Sequence, residues 1–522
     1  MSASTERKNR VAAREAGTDK KMLARQEAEK KAAKSRRQWT IGSILVAILL
    51  IVIILLNSGF LYKYTTAMTI GEESYSPAEL SYSYANQYTS FLNQYGSYAS
   101  LFGLDTTQGL ASLKTQECSM LGEGKTWRDY FLQMAGNDLT QVSALKRYAR
   151  DNGITLDESE IAALEENLSS LEQLAKSYGF SSANRFLAAQ YGTGVTTSVA
   201  RAMAMDSALA SKALQSYSDS LSYDEAELED YYASLDGSRD YFDYASYFVP
   251  AETVPAEGDG EGESQSAAPT EQTLLEARMT AQAIEMAYQD GDDIEDPVER
   301  LNAAIEAEFD DGSATVRSRV SGSGLGDMSE WLTDDARGEG DVSVIDASDG
   351  SGYTVVVFLA RDDNHYPTVS VRHILIQAAA SEDGSYSDEA KQAALDRINV
   401  IKAEYEAGEQ TEESFAALAE QYSEDSGSNT NGGLYENIYR GQMVKEFNDF
   451  CFAGHEHGDV AVVYGESSGY AGYHLVYFVG EGEQYSDVIA RDDLTGTAVS
   501  DFLSAQTEGL EPALRFWAKL VG

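Results

Sequence analysis

The strongest constraint on this chain is that it contains one pattern twice. Tyr244-Ala245-Ser246-Tyr247-Phe248-Val249 precedes two helical patterns, then Gly340-Asp341-Val342 and Gly352-Tyr353-Thr354-Val355-Val356-Val357-Phe358-Leu359. Val371-Arg372-His373-Ile374-Leu375-Ile376 also precedes two helical patterns, then Gly458-Asp459-Val460 and Gly472-Tyr473-His474-Leu475-Val476-Tyr477-Phe478-Val479. An opening strand, crossing helices and closing paired strands make one α+β module of about 110–120 residues, present in two copies. A chance match competes with this reading, because the likeness is weak in the helices and clear in the last strands. The copies differ in chemistry. Where the second has His373 and His474, the first has Ser246 and Thr354. Any function carried by the imidazoles therefore belongs to the second copy, and the first is degenerate.

A chain of 522 residues is too long for one core, and its charge is polarised. Residues 1–38 carry 12 Lys/Arg against 5 Asp/Glu, a tail of +7, which leaves −53 on the rest of a chain of net charge −46. An acidic body argues against nucleic-acid binding. Solubility in an exposed, salty compartment accounts for the acidity, and no Asp/Asn/Gly loop of the calcium-binding type is present. After the basic tail comes the apolar run Ile41–Leu56, with Trp39 before it and Phe60 and Tyr62 after it. This pattern predicts a transmembrane anchor over 39–62 that contacts the lipid bilayer. It implies a single-pass protein of the cell membrane, with residues 1–38 cytoplasmic and the C-terminal body extracytoplasmic. A cleaved signal peptide is the rival reading, but the run is long, the leader is long and no A-x-A site follows. No cysteine stands directly after the run, which argues against a lipoprotein anchor. Cys118 and Cys451 are the two cysteines. They show neither CxxC nor zinc spacing and read as small buried hydrophobes, so no metal and no cofactor is expected.

Residues 68–235 read as a helical binding or scaffold domain. Ser76-Pro77-Ala78-Glu79 is a capping box with proline at the first helical position. Leu80, Tyr84, Tyr88, Phe91 and Tyr95 then share one face, as ordinary core or as a groove for unfolded clients. Asp157-Glu158-Ser159-Glu160 and Ser222-Tyr223-Asp224-Glu225 open further helices. The first module spans 240–362 and carries a Gly/Glu/Ser/Pro-rich insert, 251–272, expected to be a flexible loop. The second spans 368–482. Residues 486–522 predict a C-terminal helix that returns to the N-terminal helices, so that the two ends of the chain build one domain.

The second copy resembles the parvulin family of peptidyl-prolyl cis-trans isomerases. The matching segments are VRHILI (371–376), SFAALAEQYSEDSGSNTNGGL (414–434), RGQMVKEFNDFCFAG (440–454), GDV (458–460) and GYHLVYF (472–478), in family order and spacing. The resemblance implies a four-stranded, mostly antiparallel sheet wrapped by helices. It implies His373 and His474 side by side on central strands, with Asp425 at the catalytic centre. It further implies that Leu434, Met443 and Phe447 form an apolar pocket for the proline ring. Two departures stand out. Ala471 occupies a position often held by Ser or Thr, and the turn 435–439 runs about one residue long. The region 68–235 resembles, by layout, the helical domain of extracytoplasmic parvulin chaperones.

Such a site breaks no bond. The barrier of about 18–20 kcal/mol is amide resonance, and a catalyst must favour the twisted amide over both planar forms. The clients implied are unfolded or nascent secreted proteins with X-Pro bonds. The alternative is a membrane-tethered holdase without turnover, in which the histidine pair is a satisfied polar core. The loop after the first strand, AAASEDGSYS, holds Glu382 and Asp383 and no Lys or Arg, which predicts no preference for phosphorylated sites.

Overall fold

The computed structural model describes residues 3–17, 20–57, 59–254, 268–381, 383–467 and 469–522. Ser76 accepts the backbone N–H of Glu79 while the Glu79 carboxylate accepts that of Ser76, so the helix Pro77–Tyr95 starts where the capping box predicts. Reciprocal caps likewise open Trp127–Asp151, Glu158–Ser177 and Glu225–Ser234. Tyr84, Tyr88 and Phe91 turn inward onto Trp127 and Phe131, with Tyr88 edge-on to Phe131 at 5.4 Å. The tyrosine stripe is core, and Tyr95 at its end is exposed.

The chain divides into two compact units, Met1–Leu221 with Thr497–Gly522, and Ser222–Gly496. Within the first unit Met68–Ile70 pairs antiparallel with Glu73–Tyr75 on one side and Ala513–Leu514 on the other. Arg128 donates to the carbonyls of Val521 (2.7 Å) and Ala518 (2.8 Å), and Phe502 stacks on Tyr217 at 3.9 Å. Where the sequence predicts one helix over 486–522, the helix Tyr485–Thr507 stops short of Gly509, at φ +73°, and Pro512. The remainder runs as a two-residue strand and a 3-10 turn, Phe516–Leu520. The helix Glu225–Ser234, grouped by sequence with 68–235, belongs to the second unit.

The apolar run Ile41–Leu56 lies on the helix Lys20–Asn57. Among the described residues no helix is long and apolar enough to cross a membrane, so the expected anchor over 39–62 is not seen there. Ser58 and the side chains of residues 51–57 lie outside the described residues.

The second unit holds two four-stranded antiparallel sheets of one topology. In chain order their strands are Tyr241–Pro250, Thr315–Ser321, Val342–Asp346 and Gly352–Asp362, then Pro367–Gln377, Leu434–Ile438, Val460–Ser467 and Tyr470–Gln484. In both sheets the first strand lies between the second and the fourth, and the third flanks the fourth. The registers agree residue by residue. Ser246 pairs with Val356 as His373 pairs with Val476, and Phe248 with Thr354 as Leu375 with His474. One face of the second sheet packs Ile374, Ile376 and Leu475 on Ile398 and Phe415; the other packs Val371, Val476 and Phe478 around Phe447 and Cys451. The insert 251–272 is not all loop, since Thr253 and Val254 pair with Pro269 and Ala268; residues 255–267 lie outside the described residues.

Arg128→Ala leaves two carbonyls of the closing segment without their charged donor. The expected cost is about 2 kcal/mol, or roughly 4–8 °C in the melting of the first unit. Calorimetry reads it, and Arg150→Ala, exposed on the same helix, is expected to leave the transition in place.

Candidate functional site

Strand pairing builds the centre of the site. His373 lies opposite Val476 and His474 opposite Leu375, so the histidines are diagonal neighbours on one sheet face. Their Nδ1 atoms are 3.0 Å apart and their rings nearly parallel, at 17°. Both are buried, His373 4% and His474 6% exposed. The far nitrogen of His373, Nε2, meets Asp425 Oδ2 at 3.0 Å and Ser428 Oγ at 3.1 Å. The far nitrogen of His474 meets the Tyr470 hydroxyl. Asp425 also accepts from Ser428 Oγ (2.5 Å), the Tyr435 hydroxyl (3.0 Å) and the Gly427 N–H (3.1 Å).

The Gly432-Gly433 turn holds the backbone of His373 and of Ser428. His373 donates its N–H to the Gly433 carbonyl at 2.8 Å, and a Cβ on Gly433 would stand 2.2 Å from the His373 carbonyl oxygen. Only glycine allows that approach at φ +73°. Arg372, on the opposite face, donates to the carbonyls of Asn431 and Gly432 and pairs with Glu412.

Donor and acceptor accounting gives one direction for the line when both rings are uncharged. A carboxylate only accepts, so His373 Nε2 carries the proton. In that form His373 accepts at Nδ1 from His474 Nδ1–H, and His474 Nε2 accepts from Tyr470. Burial, with His373 beside it, pushes His474 down to about 3, so it stays neutral. The hydrogen bond from His373 is the main cause holding the Asp425 carboxyl below its usual range. Burial, then the Asp425 charge, pushes Tyr435 and Tyr470 up, which keeps both hydroxyls protonated donors.

Phe447 is buried and sets its edge against both imidazoles, at 5.5 and 5.1 Å, and Met443 packs in the same cluster. Leu434 does not join them. It pairs with Arg372, so strand alternation turns it to the face away from the histidines. Tyr435, opposite Val371, takes that place and puts its hydroxyl on Asp425. Counting from Tyr435 also removes the extra residue implied by reading the turn from Leu434. Ala471, an odd step from His474, is buried in the helix-side core, away from the site. His474 draws its hydroxyl partner from Tyr470. Sequence reasoning missed Ser428, Tyr435 and Tyr470. Of these, Tyr470 carried a signal, four residues before His474 on one strand and hence on one face. His365, His455 and His457 lie in connecting segments, each with a hydrogen-bonding partner. In the first module the same face carries Phe242, Tyr244, Val356 and Phe358 packed on Leu325 and Leu332.

Residues 353–480 match the family model Rotamase_3, described as a PPIC-type PPIASE domain. The match, about a quarter of the chain, is to the parvulin class of peptidyl-prolyl isomerase domains. The chain is 33% identical over 117 residues to Foldase protein PrsA 3 of Bacillus anthracis, covering 22% of this chain and 32% of that protein. It thus spans about a third of the length of that curated relative. Among solved structures, the peptidylprolyl isomerase PrsA from Bacillus cereus is 30% identical over 28% of this chain and 49% of its own, at a TM-score of 0.18. PrsA from Bacillus subtilis is 13% identical over 73% and 86%, at a TM-score of 0.27.

Unfolded, His474 takes up a proton near its ordinary value of about 6.5; folded, it does so only near 3. Between those values the unfolded state binds the extra proton, so stability falls as pH falls, by up to about 1.4 kcal/mol per unit. Asp425, lowered in the fold, adds a loss only below about pH 4. Urea unfolding of the second unit is therefore expected to lose about 2 kcal/mol between pH 6.5 and 5. His474→Phe is expected to flatten that slope, and an unchanged slope would assign it to other groups.

Proposed function

We propose that the second module is a peptidyl-prolyl cis-trans isomerase that helps secreted proteins fold on the outer side of the membrane. One observation carries the reading. The hydrogen-bonded line Tyr470–His474–His373–Asp425 runs beside an apolar cluster containing Tyr435, Met443 and Phe447. The cluster grips the proline ring and excludes water. The Asp425 charge, set near the prolyl carbonyl, disfavours the planar, charge-separated amide and so lowers the cost of twisting it. The imidazoles hold Asp425 ionised and orient it. No nucleophile and no covalent intermediate is required.

The basic tail and the apolar run support anchoring through 39–62, with the body extracytoplasmic. Unfolded or nascent secreted chains with X-Pro bonds are the proposed clients. The near-complete burial of both histidine rings favours a second reading, a tethered holdase in which the pair is polar core.

An exchange assay on a short X-Pro peptide separates the two. His373→Ala and Asp425→Asn are each expected to lose about 10- to 100-fold in kcat/KM, equivalent to about 1.4–2.8 kcal/mol of barrier. Ser246→Ala and Thr354→Ala in the first module are expected to change nothing. A folded protein with no turnover leaves the holdase. A phosphoserine-proline peptide is expected to turn over no faster than its unphosphorylated twin, since Asp383 of the loop at the strand end is acidic; Glu382 lies outside the described residues.

A further inference from the structure

We infer that the first module, which lacks the polar cluster, serves the second by fixing the shape of its pocket through Arg319. The inference rests on the prolyl-isomerase reading of that pocket and adds a positioning residue from the neighbouring copy.

The pocket residue Met443 ends the turn Tyr439–Met443, which leads into the helix Lys445–Cys451 and Phe447. The turn is held from within: Tyr439 donates its N–H to Gln442 Oε1 at 3.1 Å, and Gly441 donates to Asn448 Oδ1 at 2.6 Å. At its tip Gly441 has φ +83°, and the space a Cβ would occupy is filled by the Arg319 side chain, with Nε 2.7 Å and Cδ 3.2 Å away. Arg319 comes from the first module's strand Thr315–Ser321. It is aimed by three contacts. Its guanidinium lies over the Tyr241 ring at 4.3 Å, its Nη1 donates to Asp362 Oδ2 at 2.9 Å, and its backbone N–H donates to Asp243 Oδ1 at 2.6 Å. Asp362 also lies 3.9 Å from Arg440 in the same turn, and Arg440 covers the Tyr366 ring at 4.2 Å. One carboxylate thus faces an arginine from each module.

Comparison of the two copies isolates the side chain as the reason for this residue. Both second strands bulge at one place, between Arg317 and Val320 in the first module and between Tyr435 and Ile438 in the second. In both, the third of those four positions has a left-handed backbone: Arg319 at φ +51° and Asn437 at φ +55°. Asparagine is at home there and arginine is not. The bulge therefore explains the conformation and not the arginine. A disfavoured residue persists where its surroundings over-determine it, and the neighbour this side chain reaches is the pocket turn.

Arg319→Gly is the decisive variant in the full chain, because glycine takes the positive φ without strain while deleting the side chain. Backbone amide exchange over 439–448 is expected to rise about tenfold with the rest of the sheet unchanged. KM for an X-Pro peptide is expected to rise about fivefold with kcat within about twofold, because the histidine–aspartate line is untouched. Asp362→Ala is expected to do the same, and the double variant no more than either alone. Arg317→Ala, exposed on the same strand, is expected to do nothing. Unchanged exchange at Gly441 with unchanged KM overturns the inference. So does a fall in kcat alone, or a uniform rise in exchange across the unit with a lower melting temperature. If the unmodified protein turns over no X-Pro peptide, the isomerase reading fails, and the exchange result alone decides whether Arg319 holds the turn.

Discussion

The pairing of Pro367–Gln377 with Tyr470–Gln484 is the constraint on which the site depends. A one-residue slip between them would turn one strand over, sending either His373 or His474 into the helix-side core and separating the pair across the sheet. The long apolar ladder on either face makes that slip costly, so hydrophobic packing far larger than the site sets the distance between two ring nitrogens. Both imidazoles then sit in a face otherwise made of Val371, Val476, Phe447 and Phe478. They are tolerated there because each ring nitrogen has a partner, ending in a carboxylate at one side and a phenol at the other.

The degenerate copy shows how little the fold needs that chemistry. It keeps the strand order, the register and the bulge, and replaces both histidines with small hydroxyl residues. Its corresponding face is filled by Phe242, Val356 and Phe358 on Leu325 and Leu332. The copy that lost them instead presents Arg319 to the copy that kept them.

Much of this was legible in the chain. The repeat could be read because buried strands alternate and closing strands carry continuous Val, Tyr and Phe. Helix starts at Ser76 and Asp157 could be read because a cap is local chemistry, and the third falls at Asp224, within the segment Ser222–Glu225 that the sequence marks as a start. The juxtaposition of His373 and His474 was legible through the family resemblance, and the strand register supplies its geometry. Tyr435 was hidden because the Gly-Gly turn was counted forward from Leu434, and the bulge at Asn437 that absorbs the following residues has no reliable sequence mark. Alternation alone sets Tyr470 on the histidine face and Ala471 on the other. The strand Ala513–Leu514 was unreadable, since two residues have no period and their partner lies at Met68 and Thr69.

That last pairing sets the order in which the chain can finish. The second unit, Ser222–Gly496, is threaded between the two parts of the first. Met68–Ile70 waits for Ala513–Leu514, and Arg128 for the carbonyls of Ala518 and Val521. Closing so long a connection before the insert folds costs about 5 kcal/mol of chain entropy. The helical unit therefore lacks its seam until residues 497–522 dock, whereas the inserted unit needs no residue outside Ser222–Gly496. The two ends of the chain are thus both needed to finish one unit.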